Sequence, residues 1–302
     1  MKNILVFGEL LYDIYENNAI IGGAPFNYSI QLSRLIANDG VLKFITSIGN
    51  DDFGHNATDF ISKENIDSSL IQISKKYNTG KAIVFLDENK VPDYTIEENV
   101  AWDNIEYSDN ISNILKNTNY DLFYFNILSQ RNDTSYKTIK KIYSNINAKY
   151  KVCDVTFRKN YYTKEKIKEA FEFINILKIN DDELLTIKEL FYPTLENNNK
   201  LLLKTIQKDF DIEYIFLTLG AQGSAVMHNG EYIINPINKV EVVDTVGAGD
   251  AFCAALSYAI LKGLKLEDII KFASNVSEEV VQLKGGTALY DINKIKNKYN
   301  II

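Results

Sequence analysis

Between residues 120 and 219, short apolar runs alternate with stretches of helical periodicity. Residues 120–127 (YDLFYFNI), 150–155, 174–179 and 213–219 (EYIFLTL) are short, aromatic and β-branched, as buried strands are. Residues 134–146, 164–173, 181–190 and 195–210 carry apolar side chains at helical spacing, as at Ile139, Ile142 and Ile146. Strands that alternate with helices run parallel, because each crossover returns the chain to the same end of the sheet. A parallel sheet needs helices on both faces. The expected fold is therefore α/β, with three α/β/α layers around a mostly parallel sheet.

Two regions interrupt the alternation. Residues 10–21 suit a small hairpin around Asn17 and Asn18, and residues 81–87 and 92–97 suit a second β pair around Glu88, Asn89 and Lys90. Between them lie a helix starting at Pro25 and a strand over residues 43–48. Brought together, the two pairs would form a small β layer outside the main sheet. That layer is a candidate lid, contributed by residues 10–21 and 81–103 of one domain spanning 1–302.

Composition excludes several classes. The 302 residues are 46% apolar and 24% charged, as in an ordinary soluble globular chain. No apolar run approaches the ~18 residues of a membrane span. The four apolar residues from Ile4 to Phe7 are too few for a secretory signal, so a cytoplasmic protein with no membrane partner is expected. A net charge of −7 argues against a nucleic-acid partner. Cys153 and Cys253 make no disulfide framework and suit small core positions. His55 and His228 stand alone and are expected at the surface or in loops. Only three arginines occur, Arg34, Arg131 and Arg158. Arg34 is expected on an outer helix face, where a salt bridge accounts for it as well as a function does.

The most informative run is Val242-Val243-Asp244-Thr245-Val246-Gly247-Ala248-Gly249-Asp250-Ala251-Phe252. It reads as an apolar strand ending at Asp244, a small-residue loop, and a helix over residues 251–261 that is apolar nearly all round, hence buried. Gly247, Ala248 and Gly249 then stand at a helix N-terminus, where free N–H groups and the helix dipole favour an anion. Asp250 has two readings. It is a first-turn carboxylate favoured by the dipole, or a general base beside an anion-binding loop. The loop lacks the Gly-Lys-Ser/Thr ending of a Walker A motif.

Other residues carry chemistry of their own. Gly22 and Gly23 precede Pro25, a tight turn feeding a helix start that could also lie against a ligand. Asn27 can donate and accept, which suits a ligand hydroxyl. Asp13 is acceptor-only when ionised, and by itself is a strand-end carboxylate. Asn180 and Glu183 are three apart at a helix start. They fit a capping box, and equally a hard-oxygen site for Mg²⁺ through water. Thr218 and Gly220 close a strand at the sheet edge where α/β folds bind ligands.

The run Asp244-Thr245-Val246-Gly247-Ala248-Gly249-Asp250-Ala251-Phe252 resembles the C-terminal signature of the ribokinase-like (PfkB) carbohydrate kinases. Four more segments agree in order, from Gly8 to Asp13, Gly22 to Asn27, Lys178 to Glu183, and Thr218 to Gly223. The resemblance spans roughly Gly8 to Gly286. It implies a ribokinase-like fold, a sugar substrate, ATP and Mg²⁺, and allows a monovalent cation. It implies Asp250 as catalytic base with the Gly247, Ala248 and Gly249 anion hole, and Asp13, Gly22, Gly23, Asn27 and Arg158 at the substrate. Asn180, Thr218, Gly220, Gly223, Asp244, Thr245 and Asn275 fall to the nucleotide, Asn180 and Glu183 to Mg²⁺. It also implies a homodimer through the lid.

Val100 to Asp103, Ser129 to Asn132 and Asp154 to Arg158 resemble segments of the fructokinase-type members, although Thr156 replaces their usual Asn. Trp102 lies near the lid segment, where it could cover an apolar sugar face or belong to the core or a dimer interface. The expectation is an ATP-dependent sugar kinase of fructokinase type. Its rivals are a ribokinase, a 2-keto-3-deoxygluconate kinase or a nucleoside kinase. From another class, a catalytically silent sugar- or nucleotide-binding regulator is the alternative.

Overall fold

A computed structural model of the chain describes residues 1–16, 18–86 and 92–300, with 84–86 and 92–94 described by their backbone alone. In chain order the first half contains β1 (Lys2–Phe7), β2 (Leu11–Tyr15), β3 (Asn18–Gly22), α1 (Ala24–Ile36), β4 (Gly40–Gly49), α2 (Asp52–Ile61), β5 (Ile66–Asp67), β6 (Ile71–Ser74), β7 (Gly80–Leu86) and β8 (Pro92–Ile96). Then come α3 (Asp109–Asn117), β9 (Asn119–Asn126), α4 (Asp133–Asn145), β10 (Asn147–Asp154), α5 (Lys164–Phe173), β11 (Ile176–Asn180), α6 (Asp181–Phe191), α7 (Asn199–Phe210) and β12 (Tyr214–Thr218). Last are β13 (Ser224–His228), β14 (Glu231–Asn235), α8 (Ala248–Leu261), α9 (Leu266–Val280) and α10 (Ile292–Lys298).

The main sheet runs β14-β13-β12-β11-β10-β9-β1-β4-β5, with β6 beside the far end of β4. It is parallel except where β13 and β14 fold back on β12. The strands are buried on both faces, and period two sorts their side chains into two cores. Ile4 and Val6 of β1 join Tyr124, Phe216 and the helices α1, α8 and α9, while Leu5 and Phe7 join Phe125, Cys153 and the helices α3 to α7. The expected three layers are thus the observed ones. Helix α8 is buried from Ala251 to Ile260, as its uniformly apolar sequence requires.

A separate four-stranded sheet runs β3-β2-β7-β8, with β2 parallel to β7. The two expected β pairs therefore meet and make one lid. Their turns at Asn17 and at Glu88, Asn89 and Lys90 lie outside the described residues. Leu11, Ala82 and Ile96 of the lid pack with Val100, Trp102 and Leu128. Trp102 is fully buried, under the Arg131 guanidinium at 4.0 Å, and Arg131 is paired with Asp103 at 2.6 Å. Its core reading holds.

Other expectations need correction. No strand forms before Asp244. Val242 and Val243 are 59% and 52% exposed, and the Val243 and Asp244 amides donate to Val281 O at the end of α9. Two valines are too short a signal, and β14 already ends this side of the sheet. The helix expected from residue 195 begins at Asn199, because Asn198 caps it by accepting from Leu201 N. Arg34 is not on an open face. It grips Glu64 and donates to Thr287 O, with 13% of its side chain exposed. His55 is exposed on α2, and His228 ends a strand, stacked on Tyr214 at 4.1 Å. Both cysteines are free and buried.

Candidate active site

The carboxyl ends of the strands, the lid and the N-terminus of α8 enclose a cleft of about 970 Å³. One part is apolar, lined by Leu11, Ala82, Ile96 and Leu128. Asp13 of β2 projects into this part, and Gly22 backs onto it, where a Cβ would lie 3.0 Å from Asp13 Oδ2. Burial pushes the Asp13 carboxyl up to about 6, although the Arg158 guanidinium opposes the shift. Arg158 lies four residues beyond β10, exposed at the mouth of the cleft, its Nη1 donating to Phe157 O. Asp13 and Arg158 are thus brought together from distant segments.

Two helix N-termini converge at the floor. Gly23 precedes α1, and Asn27 in the first turn donates from Nδ2 to Asp250 Oδ2 at 2.8 Å. Asp250 stands in the first turn of α8. Burial raises its carboxyl above the usual range, and Asn27, Lys178 and Arg158 pull it back. Gly247 caps α8 in the left-handed region at φ 77, and a Cβ there would fall 2.2 Å from Gly286 Cα. Only glycine fits that position. Ala248 N and Ala251 N bond Thr245 O and Gly247 O, while the amides of Gly249 and Asp250 have no partner among the described residues. Unpaired amides at a helix start carry partial positive charge and favour an anion.

Asp244 builds this loop rather than lining the cleft. Its two oxygens accept from Val246 N at 3.0 Å and Gly285 N at 2.9 Å. Thr245, Thr218, Gly220 and Gly223 line the other part of the cleft with Ser274 and Ser277 of α9. Asn275 is not among them. It donates to Tyr299 OH and faces a separate polar cavity of about 410 Å³. One helical position apart, Ser274 and Asn275 point to different sides of α9.

Asn180 and Glu183 form the expected capping box: Asn180 Oδ1 accepts from Glu183 N at 2.8 Å, and Glu183 Oε2 from Asn180 N at 2.9 Å. Glu183 Oε1 also accepts from Phe157 N at 3.0 Å. Each carboxylate oxygen therefore already holds one amide. Among the described residues no three His, Cys, Asp or Glu side chains gather as a metal cage. The donors are hard oxygens at the cleft wall, which fits an Mg²⁺ held through water and completed by phosphate oxygens.

Three acidic or basic groups lie inside the matching segments but carry no role read from the sequence. Lys178 is buried in β11 and paired with Asp154 at the end of β10, 3.0 Å away. Burial lowers Lys178, but Asp154 and Glu183 outweigh it and hold the ammonium above its ordinary value. Glu9, after β1, accepts from Asn126 Nδ2 at 2.9 Å, and burial pushes it up to about 8. A lysine inside the apolar strand Ile-Leu-Lys-Ile-Asn was the one local signal available.

Residues 1–293 match the model of the pfkB family carbohydrate kinases. The chain belongs to that family. An uncharacterized sugar kinase of Pyrococcus horikoshii is 29% identical over 274 residues, which is 87% of this chain and 81% of the relative. Its solved complex with ATP has a TM-score of 0.80 to this kinase, at 26% identity and covering 97% of both chains. An ATP-dependent 6-phosphofructokinase of Thermoanaerobacterium thermosaccharolyticum is 26% identical across 99% of this chain and 94% of its own. The large parallel sheet and small second sheet of this kinase are those of the ribokinase-like fold. Among the described residues, no helix is long and apolar enough to cross a membrane.

Proposed function

We propose that this pfkB carbohydrate kinase moves the γ-phosphoryl group of ATP to a primary hydroxyl of fructose. The observation that carries the reading is the Asn27–Asp250 contact, which places a carboxylate between the Asp13 side of the cleft and the free amides of α8. Asp13, Gly23 and Asn27 would hold the sugar, with Asn27 Oδ1 a buried acceptor that lacks a partner among the described residues. Asp250 would take the hydroxyl proton as oxygen attacks phosphorus. The Gly249 and Asp250 amides would meet the phosphoryl oxygens. Mg²⁺, held through water by Asn180 and Glu183, would neutralise the phosphates. The lid would exclude water from the transfer. Arg158 favours fructose, as the fructokinase-type guanidinium at the substrate end. A homodimer through the lid belongs to the same reading, since β3 is an outer strand exposed over most of its length.

A coupled ATP assay over fructose, fructose 6-phosphate, ribose, a keto-deoxy acid and a nucleoside tests the substrate. Fructose should show the highest kcat/KM, and Arg158→Lys should lower it tenfold to a hundredfold, for a lost charged hydrogen bond of ~1.5–3 kcal/mol. Higher kcat/KM on another member of the panel rejects fructose. Asp250→Asn should cut turnover by ~10²–10⁴ and spare ATP binding. Near-normal turnover in that variant rejects the base.

A further inference from the structure

Lys178 has no part in the steps above. It sits in β11 between Leu177 and Ile179, both fully buried, and is itself 6% exposed. Its Nζ donates to Asp154 Oδ1 at 3.0 Å, and Asp154 Oδ2 has no partner among the described residues. The ammonium also lies 3.1 Å from the point that a Cβ on Gly249 would occupy, with Cε at 3.8 Å. Lys178 therefore presses against the bare backbone of the second residue of α8, on the wall of the cleft.

That placement opposes the local field. The amides at a helix N-terminus carry partial positive charge, and an ammonium beside them is repelled. Burying an ion pair is itself a poor source of stability, since an apolar side chain of similar volume often serves the strand as well. A cation held against a helix N-terminus gains when negative charge arrives from outside. In a phosphoryl transfer that charge is on the oxygens of the group in flight.

We propose that Lys178 contacts the phosphoryl group during its transfer, with Asp154 positioning the ammonium and Gly249 leaving the opening through which it reaches. The proposal rests on the assignment of the α8 N-terminus as the phosphoryl site. Lys178 exchanges no proton. The sugar O–H bond breaks toward Asp250, the O–P bond forms, and the P–O bond to the departing ADP breaks. The ammonium offsets charge on the phosphoryl oxygens alongside the backbone amides, and a side chain at position 249 would crowd it, with a Cβ 3.1 Å from Nζ.

The test compares Lys178→Met and Asp250→Asn with the parent enzyme, using the sugar that the assay panel identifies. Two readouts are taken: kcat with both KM values, and calorimetric binding of ADP with and without aluminium fluoride, a mimic of the phosphoryl in flight. Lys178→Met should lower kcat by ~10²–10³, the effect of losing one preorganised donor. Its KM values should stay within about threefold, and aluminium fluoride should lose its power to tighten ADP binding. A kcat within fivefold of the parent, with tightening intact, overturns the proposal. So does an equal weakening of ADP with and without the fluoride, because Lys178 would then bind only the ground state. Where Lys178→Met does not fold, Gly249→Ala keeps the lysine and crowds its ammonium, and a smaller loss of the same selective kind is expected. Turnover lost in Asp250→Asn but kept in Lys178→Met sinks the lysine alone; turnover kept in Asp250→Asn sinks the base assignment.

Discussion

Asn27 Nδ2 donates to Asp250 Oδ2 across 2.8 Å, joining residues 223 positions apart. The bond supports the charged form of the carboxylate against burial. Removing it in Asn27→Ala should raise the Asp250 carboxyl further. A base works only when ionised, so the acid limb of the kcat/KM profile should move to higher pH. The loss should be roughly tenfold to a hundredfold and largest at low pH, for a hydrogen bond to a charged group of ~1.5–3 kcal/mol. A pH–rate profile checks this, and an unmoved acid limb would count against the role given to Asn27.

Asp13 titrates inside the working range. Burial holds its carboxyl up to about 6 in the folded protein. The ionised form is acceptor-only and takes charge-assisted hydrogen bonds from sugar hydroxyls at both oxygens, whereas protonation turns one oxygen into a donor. The KM for sugar should therefore climb as pH falls through about 6, with the KM for ATP flat. Asp13→Asn should have a high sugar KM that no longer varies across that interval. Initial rates between pH 5 and 8 decide it.

Thr156 adopts φ 47 while 7% exposed. A β-branched residue is strained in the left-handed region, which Asn and Gly enter more readily. Strain of this kind costs about 1–3 kcal/mol. Thr156→Asn should raise the midpoint of thermal unfolding by a few degrees, and Thr156→Gly less, since glycine adds freedom to the unfolded chain. Calorimetry would expose the error if both variants melt below the parent.

Glu9 should make the protein less stable as pH rises. Its folded carboxyl stands at about 8, above the ordinary value of 4.5, so the native state binds the extra proton between those values. Its contribution is fully present below about 4.5 and is lost progressively up to about 8. Glu9→Gln keeps the shape of the protonated acid and cannot ionise. The variant should gain on the parent across that interval, by on the order of 4 kcal/mol at its upper end. Urea unfolding at pH 5 and pH 8.5 measures the difference, and a parallel pH response in the two proteins would refute it.

Residue order alone carries the alternation of strands and helices, the all-round apolar α8, the cap at Asn180 and the glycine loop before Asp250. Each of these is a short-range property. Periodicity, capping and backbone permissiveness act within a few residues, so a local window contains them. Tertiary structure decided the rest. Whether Lys178 meets Gly249, whether Asn27 reaches Asp250, and whether Asn275 turns to the cleft or to Tyr299 all depend on sheet order and on which helix face is covered. Residues 242–244 show the same limit, for a pair of valines becomes a strand only beside an open sheet edge, and here the chain follows the end of α9 instead. Contacts between distant segments are set by packing, and packing is a property of the whole chain.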